Sequence, residues 1–222
     1  MNKFVTSLLL IASSLAVSAA SSILTLKNSI TDNSIIYPES FETDTHKMMQ
    51  NWYLKNYAVL NDSYAKTPVV NATDEEYIKR LSSMPTEIEM PYNQVVRSYI
   101  NMYVQRRRDL VESMLGMSLY YMPIFEQALE RKGLPLELRY LPVIESALNP
   151  DAVSRAGATG LWQFMLPTAR GLGLEINTLV DERRDPYASS EAAATYLKQL
   201  YDMYNDWSLA IAAYNCGPGN VN

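Results

Sequence analysis

Beyond residue 73, apolar side chains return every three or four positions through most of the chain, the period of a helix with one buried face. Val96, Ile100, Tyr103, Leu110 and Met114 keep this spacing and predict a helix over residues 93–115. Gly116 and Gly133 punctuate the pattern, which predicts two more helices over residues 118–132 and 135–148. Pro135 suits a first helical turn, where its missing N–H removes no bond, and Asn149-Pro150 is a stop. Thr73-Asp74-Glu75-Glu76 has the form of a capping box and opens a short helix ending near Ser83. Further on, Leu197, Leu200 and Tyr204 share one face of a helix after Ser190, with Leu209 and Ala213 in the next segment. No strand-like alternation of useful length occurs, so the predicted fold class is all-α.

The first 72 residues follow different rules. Lys3 precedes an apolar, Ser-spotted run over residues 4–17, and small residues follow up to Ala19 and Ala20. This is the pattern of a secretory signal peptide, residues 1–20, cut after Ala19 or Ala20. The run is short for a bilayer span of about 20 residues, and no Cys follows it to carry a lipid. An exported protein of the periplasm or cell envelope, and not a lipoprotein, is therefore expected. Residues 21–72 are rich in Asn, Ser, Thr and Asp and read as an irregular arm, with one short helix over residues 48–57. The expected organisation is completed by an N-terminal helical segment, residues 73–119, and a domain over residues 120–222.

Composition narrows the chemistry. The chain has 222 residues, 48% hydrophobic and 19% charged, enough to bury a domain-sized core. A net charge of −5 argues against a nucleic-acid binder that needs a basic face. One Cys (Cys216) and one His (His46) exclude a disulfide framework and the usual His/Cys metal sets, so no metal is expected. The lack of a G-x-G-x-x-G run speaks against hydride transfer, and no cofactor is expected. Arg106, Arg107 and Arg108 fall within a predicted helix and read as a solvated face paired with acids, the alternative being contact with an anionic polymer. Of 8 glycines none precedes Gly116, and six lie from Gly157 to Gly219. Working loops are expected there, since glycine permits backbone shapes closed to other residues.

One carboxylate sits in an unusual place. Leu138, Leu141, Glu145 and Leu148 are spaced three, four and three apart, which sets Glu145 on the apolar stripe. Burial there disfavours the charged form and raises the pKa, as a general acid requires. A buried Glu paired with Arg139 or Arg155 has the same spacing, and spacing alone leaves both readings open.

The surrounding residues carry a resemblance. Glu145-Ser146 is followed by Asn149-Pro150, then Ser154, then Gly157-Ala158-x-Gly160-Leu161-x-Gln163. Ala213-Tyr214-Asn215-x-Gly217-x-Gly219 comes later, in that order and at matching distances. Over roughly residues 120–222 the chain resembles the soluble lytic transglycosylase domain family, in its membrane-bound D-type branch. The resemblance implies a lysozyme-like helical fold of the goose type. It implies an enzyme that cuts the β-1,4 bond between N-acetylmuramic acid and N-acetylglucosamine in peptidoglycan, leaving a 1,6-anhydromuramyl end.

By that resemblance Glu145 is the single acid and base. Ser154 and Gln163 line the cleft, Met165 lies beneath the substrate, Tyr214 hydrogen-bonds near the acid, and Asn215 fixes the loop or binds. Gly157 and Gly160 are expected to let the backbone pass close to the glycan, and Trp162 to stack on sugar or fill the core. Hydrolysis needs two carboxylates, for which Asp151, Asp181 and Asp185 are available, though caps and ion pairs are their more ordinary employment. Relatives continue past the Gly-Pro-Gly turn with more helices and often with glycan-binding modules, so the chain is expected to be C-terminally incomplete. Peptidoglycan strands are the expected partner, nucleic acid is not, and any division-machinery partner is unspecified. A hydrolytic muramidase and a non-catalytic wall-binding protein are the alternatives.

Overall fold

The computed structural model describes residues 72–221. The signal run, the arm through residue 71, its expected helix over residues 48–57 and His46 lie outside the described residues.

The described part is helical, with no strand and only isolated bridges. It opens with α1 (Asp74–Ser82), whose capping box is made in full: Glu76 N–H donates to Thr73 Oγ1 at 3.3 Å and Thr73 N–H to Glu76 Oε2 at 3.0 Å. Next is α2 (Gln94–Asn101), capped by Asn93, whose side chain accepts from Val96 N–H at 2.9 Å.

The long helices break where the glycine pattern does not say. After α2 the chain makes a π turn over Met102–Arg106 and kinks at Arg107 (φ −119°, ψ 46°). From there α3 (Arg108–Arg131) runs unbroken through Gly116 and Pro123. The two helices expected on either side of Gly116 are therefore divided elsewhere, and the expected boundary at residues 119/120 falls inside α3. The reason is magnitude. A mid-helix Gly costs about 1 kcal/mol and a Pro about 3 kcal/mol. Against them, Leu110, Met114, Met117, Tyr121, Ile124, Phe125 and Leu129 are buried along one stripe, each contributing about 1.5–3 kcal/mol. The three arginines sit at the kink: Arg106 is exposed, and Arg107 pairs with Asp109 at 3.5 Å.

The helix expected over residues 135–148 is also divided. A 3₁₀ turn, Leu136–Tyr140, leads into α4 (Leu141–Ser146). Pro142 explains the division, because it has no N–H to continue a helix from Leu138 and fits only the first turn of a new one. Pro135 stands outside the 3₁₀ turn, with extended ψ of 132°.

The rest packs on α3. After α5 (Leu166–Gly171) and a 3₁₀ turn at Glu182–Arg184 comes α6 (Pro186–Tyr204). Asp185 caps α6, accepting from Tyr187 N–H at 2.9 Å and Ala188 N–H at 2.7 Å. Ala192, Ala193 and Ala194 are buried, and these small side chains let α6 lie against α3. Finally α7 (Trp207–Cys216) packs on α6 through Leu200, Ala210 and Ala213, with Tyr201 stacked on Trp207 at 4.1 Å. Trp162 lies at the centre, 1% exposed, edge-on to Phe125 at 5.2 Å, its indole N–H donating to Ser190 Oγ at 3.0 Å. It fills the core and does not face a sugar.

Candidate active site

A cavity of about 640 Å³ opens between the end of α4, the loop over residues 149–165, α6 and the C-terminal turn of α7. Glu145, Ser154, Gln163, Met165, Tyr214 and Asn215 all line it, together with Asn149, Asp151, Thr168, Tyr196 and Cys216. Residues from Glu145 to Cys216 thus meet at one place.

Glu145 occupies the last turn of α4. The backbone then reverses through Ala147 (φ 51°) and Leu148 (φ 62°), both in the left-handed region without being glycine. Each such residue costs about 1–2 kcal/mol. Both are fully buried, and Leu148 N–H donates back to Pro142 O at 3.2 Å, so packing holds the turn. Burial alone pushes the Glu145 carboxyl from 4.5 up to about 7. Among the described residues no hydrogen bond or ion pair reaches it. Arg139, one of the two partners the spacing left open, instead bonds Glu126 and Tyr140.

The opposite wall is α7. The Tyr214 ring lies 5.7 Å from Tyr196 and 6.2 Å from Phe164. Its hydroxyl donates to the carbonyl of Trp162 at 2.7 Å. Burial, with the nearby Glu145 charge second, drives the phenol's pKa well above its ordinary value. Tyr214 lines the same cavity as Glu145, and its hydroxyl proton is committed to the loop. Asn215 donates from its amide nitrogen to Ile211 O in its own helix at 3.1 Å.

Between these walls the loop over residues 152–164 is held by its own bonds. Gln163 adopts φ 48° and its amide nitrogen donates to Gly160 O at 2.9 Å and Ala152 O at 3.3 Å. Its amide oxygen is the side-chain atom left over for the cavity. Ser154 Oγ accepts from Ala158 N–H at 3.1 Å, and its own proton has no partner among the described hydrogen bonds. Met165 forms part of the rim and is 41% exposed.

Gly160 has φ 87°, and a Cβ there would lie 1.8 Å from the carbonyl oxygen of Arg183, so the protein's own backbone requires a glycine at this position. Gly157 has φ 85° but open space around it.

Arg183 is a residue the sequence reading missed. Its guanidinium binds Asp181 through Nε (2.9 Å) and Nη2 (2.8 Å), while Nη1 donates to Gly157 O and Phe164 O, both at 3.2 Å. One side chain thereby ties the middle of the cavity loop to its C-terminal end. Only the short Asp181-Glu182-Arg183 spacing hints at it. Tyr196 was also missed, although it lies one turn after Ala192 and one before Leu200 on the buried face of α6. The three aspartates weighed as second carboxylates are all engaged. Asp181 holds Arg183, Asp185 caps α6, and Asp151 pairs with Arg184 at 3.2 Å. Among the described residues no group of three or more His, Cys, Asp or Glu side chains could hold a metal, and no helix is long and apolar enough to cross a membrane.

Residues 122–222 match the model of the Transglycosylase SLT domain. Membrane-bound lytic murein transglycosylase D of Escherichia coli is 37% identical over 133 residues, 60% of this chain and 29% of that protein. Membrane-bound lytic murein transglycosylase F of Maricaulis maris is 37% identical over 112 residues, 46% of this chain and 23% of that protein. The X-ray structure of an inactive mutant of lytic transglycosylase Slt from Pseudomonas aeruginosa aligns with a TM-score of 0.43 and 26% identity, over 57% of this chain and 22% of that one. The chain therefore spans less than a third of the length of these relatives.

Proposed function

From a chain whose residues 122–222 match the model of the Transglycosylase SLT domain family, we propose a peptidoglycan lytic transglycosylase that works with one carboxyl group, that of Glu145. The substrate is the β-1,4 bond between N-acetylmuramic acid and N-acetylglucosamine. Glu145, protonated, gives its proton to the glycosidic oxygen as the bond from the muramyl C1 breaks. The C6 hydroxyl oxygen of the same muramyl sugar then bonds to C1, and the Glu145 carboxylate takes the hydroxyl's proton. Glu145 ends as it began, a 1,6-anhydro ring closes, and no water is consumed.

The observation that carries this reading is the Glu145 carboxyl, raised to about 7 by burial alone in a cavity of about 640 Å³. A group poised near neutral pH can both give and take a proton. The pairing of Asp151 with Arg184, and the use of Asp181 and Asp185 as structural anchors, agree with a mechanism in which the substrate supplies the nucleophile. In this reading Ser154, the Gln163 amide oxygen, Asn215 and Met165 contact the sugar, and Tyr214 orders the wall beside the acid. Residues 120–222 form the catalytic part, 73–119 precede it as a helical segment, and residues 1–20 direct export to the cell envelope.

Purified sacculi incubated with the protein, followed by mass spectrometry of released fragments, test the proposal. Anhydromuramyl ends are expected. Reducing ends, heavier by one water, would make the protein a muramidase. Binding to sacculi without release would make it a wall-binding protein. Glu145→Gln is expected to bind sacculi but to cut them slower by about 10²–10⁴-fold or more, since one group serves both proton transfers.

A further inference from the structure

The residue after the acid is as deeply placed as any in the core, and its hydroxyl has two neighbours. Ser146 is 1% exposed, and its Oγ lies 2.9 Å from Pro142 O and 2.9 Å from Leu161 O. A hydroxyl has one proton to donate. Pro142 O already accepts from the N–H groups of Ala147 and Leu148. For Leu161 O, inside a fully buried residue, Ser146 is the one donor among the described hydrogen bonds. A buried carbonyl left without a donor is more costly than one that loses a second or third bond, so the proton belongs on Leu161.

Leu161 is the first of three consecutive residues that gather the cavity walls. Leu161 O takes the bond from α4, and Trp162 O takes that of Tyr214 from α7. The Trp162 indole reaches α6 through Ser190, and Gln163 ties the loop through Ala152 and Gly160. Among the described hydrogen bonds, that of Ser146 joins the segment that carries Glu145 to this hub. We propose that Ser146 is a positioning residue whose hydroxyl, by bonding Leu161 O, holds the Glu145 carboxyl at its depth and direction in the cavity. It does not touch substrate and transfers no proton to it.

This rests on the reading of Glu145 as the acid, so the test includes a measurement that needs no turnover. The other titratable groups around the cavity are Tyr214 and Cys216 from α7, Tyr196 from α6 and Asp151 from the loop, the last paired with Arg184. With the full chain labelled at glutamate Cδ, the titration midpoint of Glu145 is followed by NMR in the wild type, Ser146→Ala and Ser146→Thr. In Ser146→Ala the carboxyl is expected to drift toward solvent, its midpoint falling by about one unit or more. Ser146→Thr keeps the hydroxyl and is expected to stay within about half a unit of the wild type. On sacculi, Ser146→Ala is expected to lose about ten- to a hundredfold in kcat with KM little changed, as misplacement of a reacting group does. If Ser146→Ala does not fold, Ser146→Cys, which keeps the volume and weakens the donor, is read in its place. A wild-type midpoint and kcat in the Ala or Cys variant overturns the proposal, as does a folded Thr variant with a lowered midpoint. If the wild type releases no anhydro ends, the functional reading fails while the NMR comparison still decides the tether.

Discussion

The Tyr214 hydroxyl gives its proton to Trp162 O at 2.7 Å, so its removal reaches the acid only through the loop. Tyr214→Phe leaves that carbonyl without its donor in the core, at a cost of about 1–3 kcal/mol. A fall of several degrees in melting temperature is expected, since about 1 kcal/mol shifts a domain of this size by roughly 2–4 °C. Turnover should fall by less than in Glu145→Gln. A Phe variant as inactive as the Gln variant, with an unchanged melt, would move the hydroxyl into the proton transfer itself. In the proposed mechanism cleavage starts from protonated Glu145, so kcat/KM is expected to decline as pH rises through about 7, the value burial gives the carboxyl. A rate that rises across that range would contradict the assignment.

The cavity loop is an element that neither helices nor strands define. Its shape comes from left-handed residues and from Arg183, which binds Gly157 O and Phe164 O. Gly157 and Gly160 have nearly the same φ, yet the cost of a side chain should differ. Gly157→Ala meets open space and bears only the left-handed penalty of about 1–2 kcal/mol. Gly160→Ala adds a methyl 1.8 Å from Arg183 O, a backbone atom that cannot swing away. The loop or the turn at Glu182–Arg184 must move, and a loss of more than about 4 kcal/mol is expected, in the range kept for severe core disruption. Urea denaturation of the two variants measures the difference. Equal losses would show that the loop does not approach Arg183 so closely.

Across the whole molecule, a single buried carboxyl bends the stability curve. The folded-state pKa of Glu145 lies above its unfolded value, about 7 against 4.5. Its contribution is therefore full below about pH 4.5 and is lost as pH rises through about 7, some 3 kcal/mol in all. Asp181 acts in the opposite sense. Its hydrogen bond from Arg183 lowers its pKa, and its stabilisation is lost in acid. Glu145→Gln is thus expected to melt higher than the wild type at pH 8, with the difference shrinking or reversing near pH 4.5. Parallel melting curves from pH 4 to 8 would mean that the carboxyl is not held out of water.

What the sequence determined by itself is local. The Thr73 capping box and the apolar stripes along α3 and α6 follow from contacts within one or two turns. Such contacts form wherever the residues occur. The place of Glu145 between leucines was legible for the same reason, and the ordered motif around it anticipated which side chains share its cavity. The tertiary structure decided whatever depends on partners far along the chain. Gly116 ends no helix because the buried stripe of α3 outweighs the preference of one residue. Tyr214 bonds a carbonyl 52 positions away, Ser146 one 15 positions away, and Gly160 faces Arg183 across 23. Spacing cannot reveal these pairs, because a hydrogen bond or a close approach between distant segments exists only after packing has brought them together.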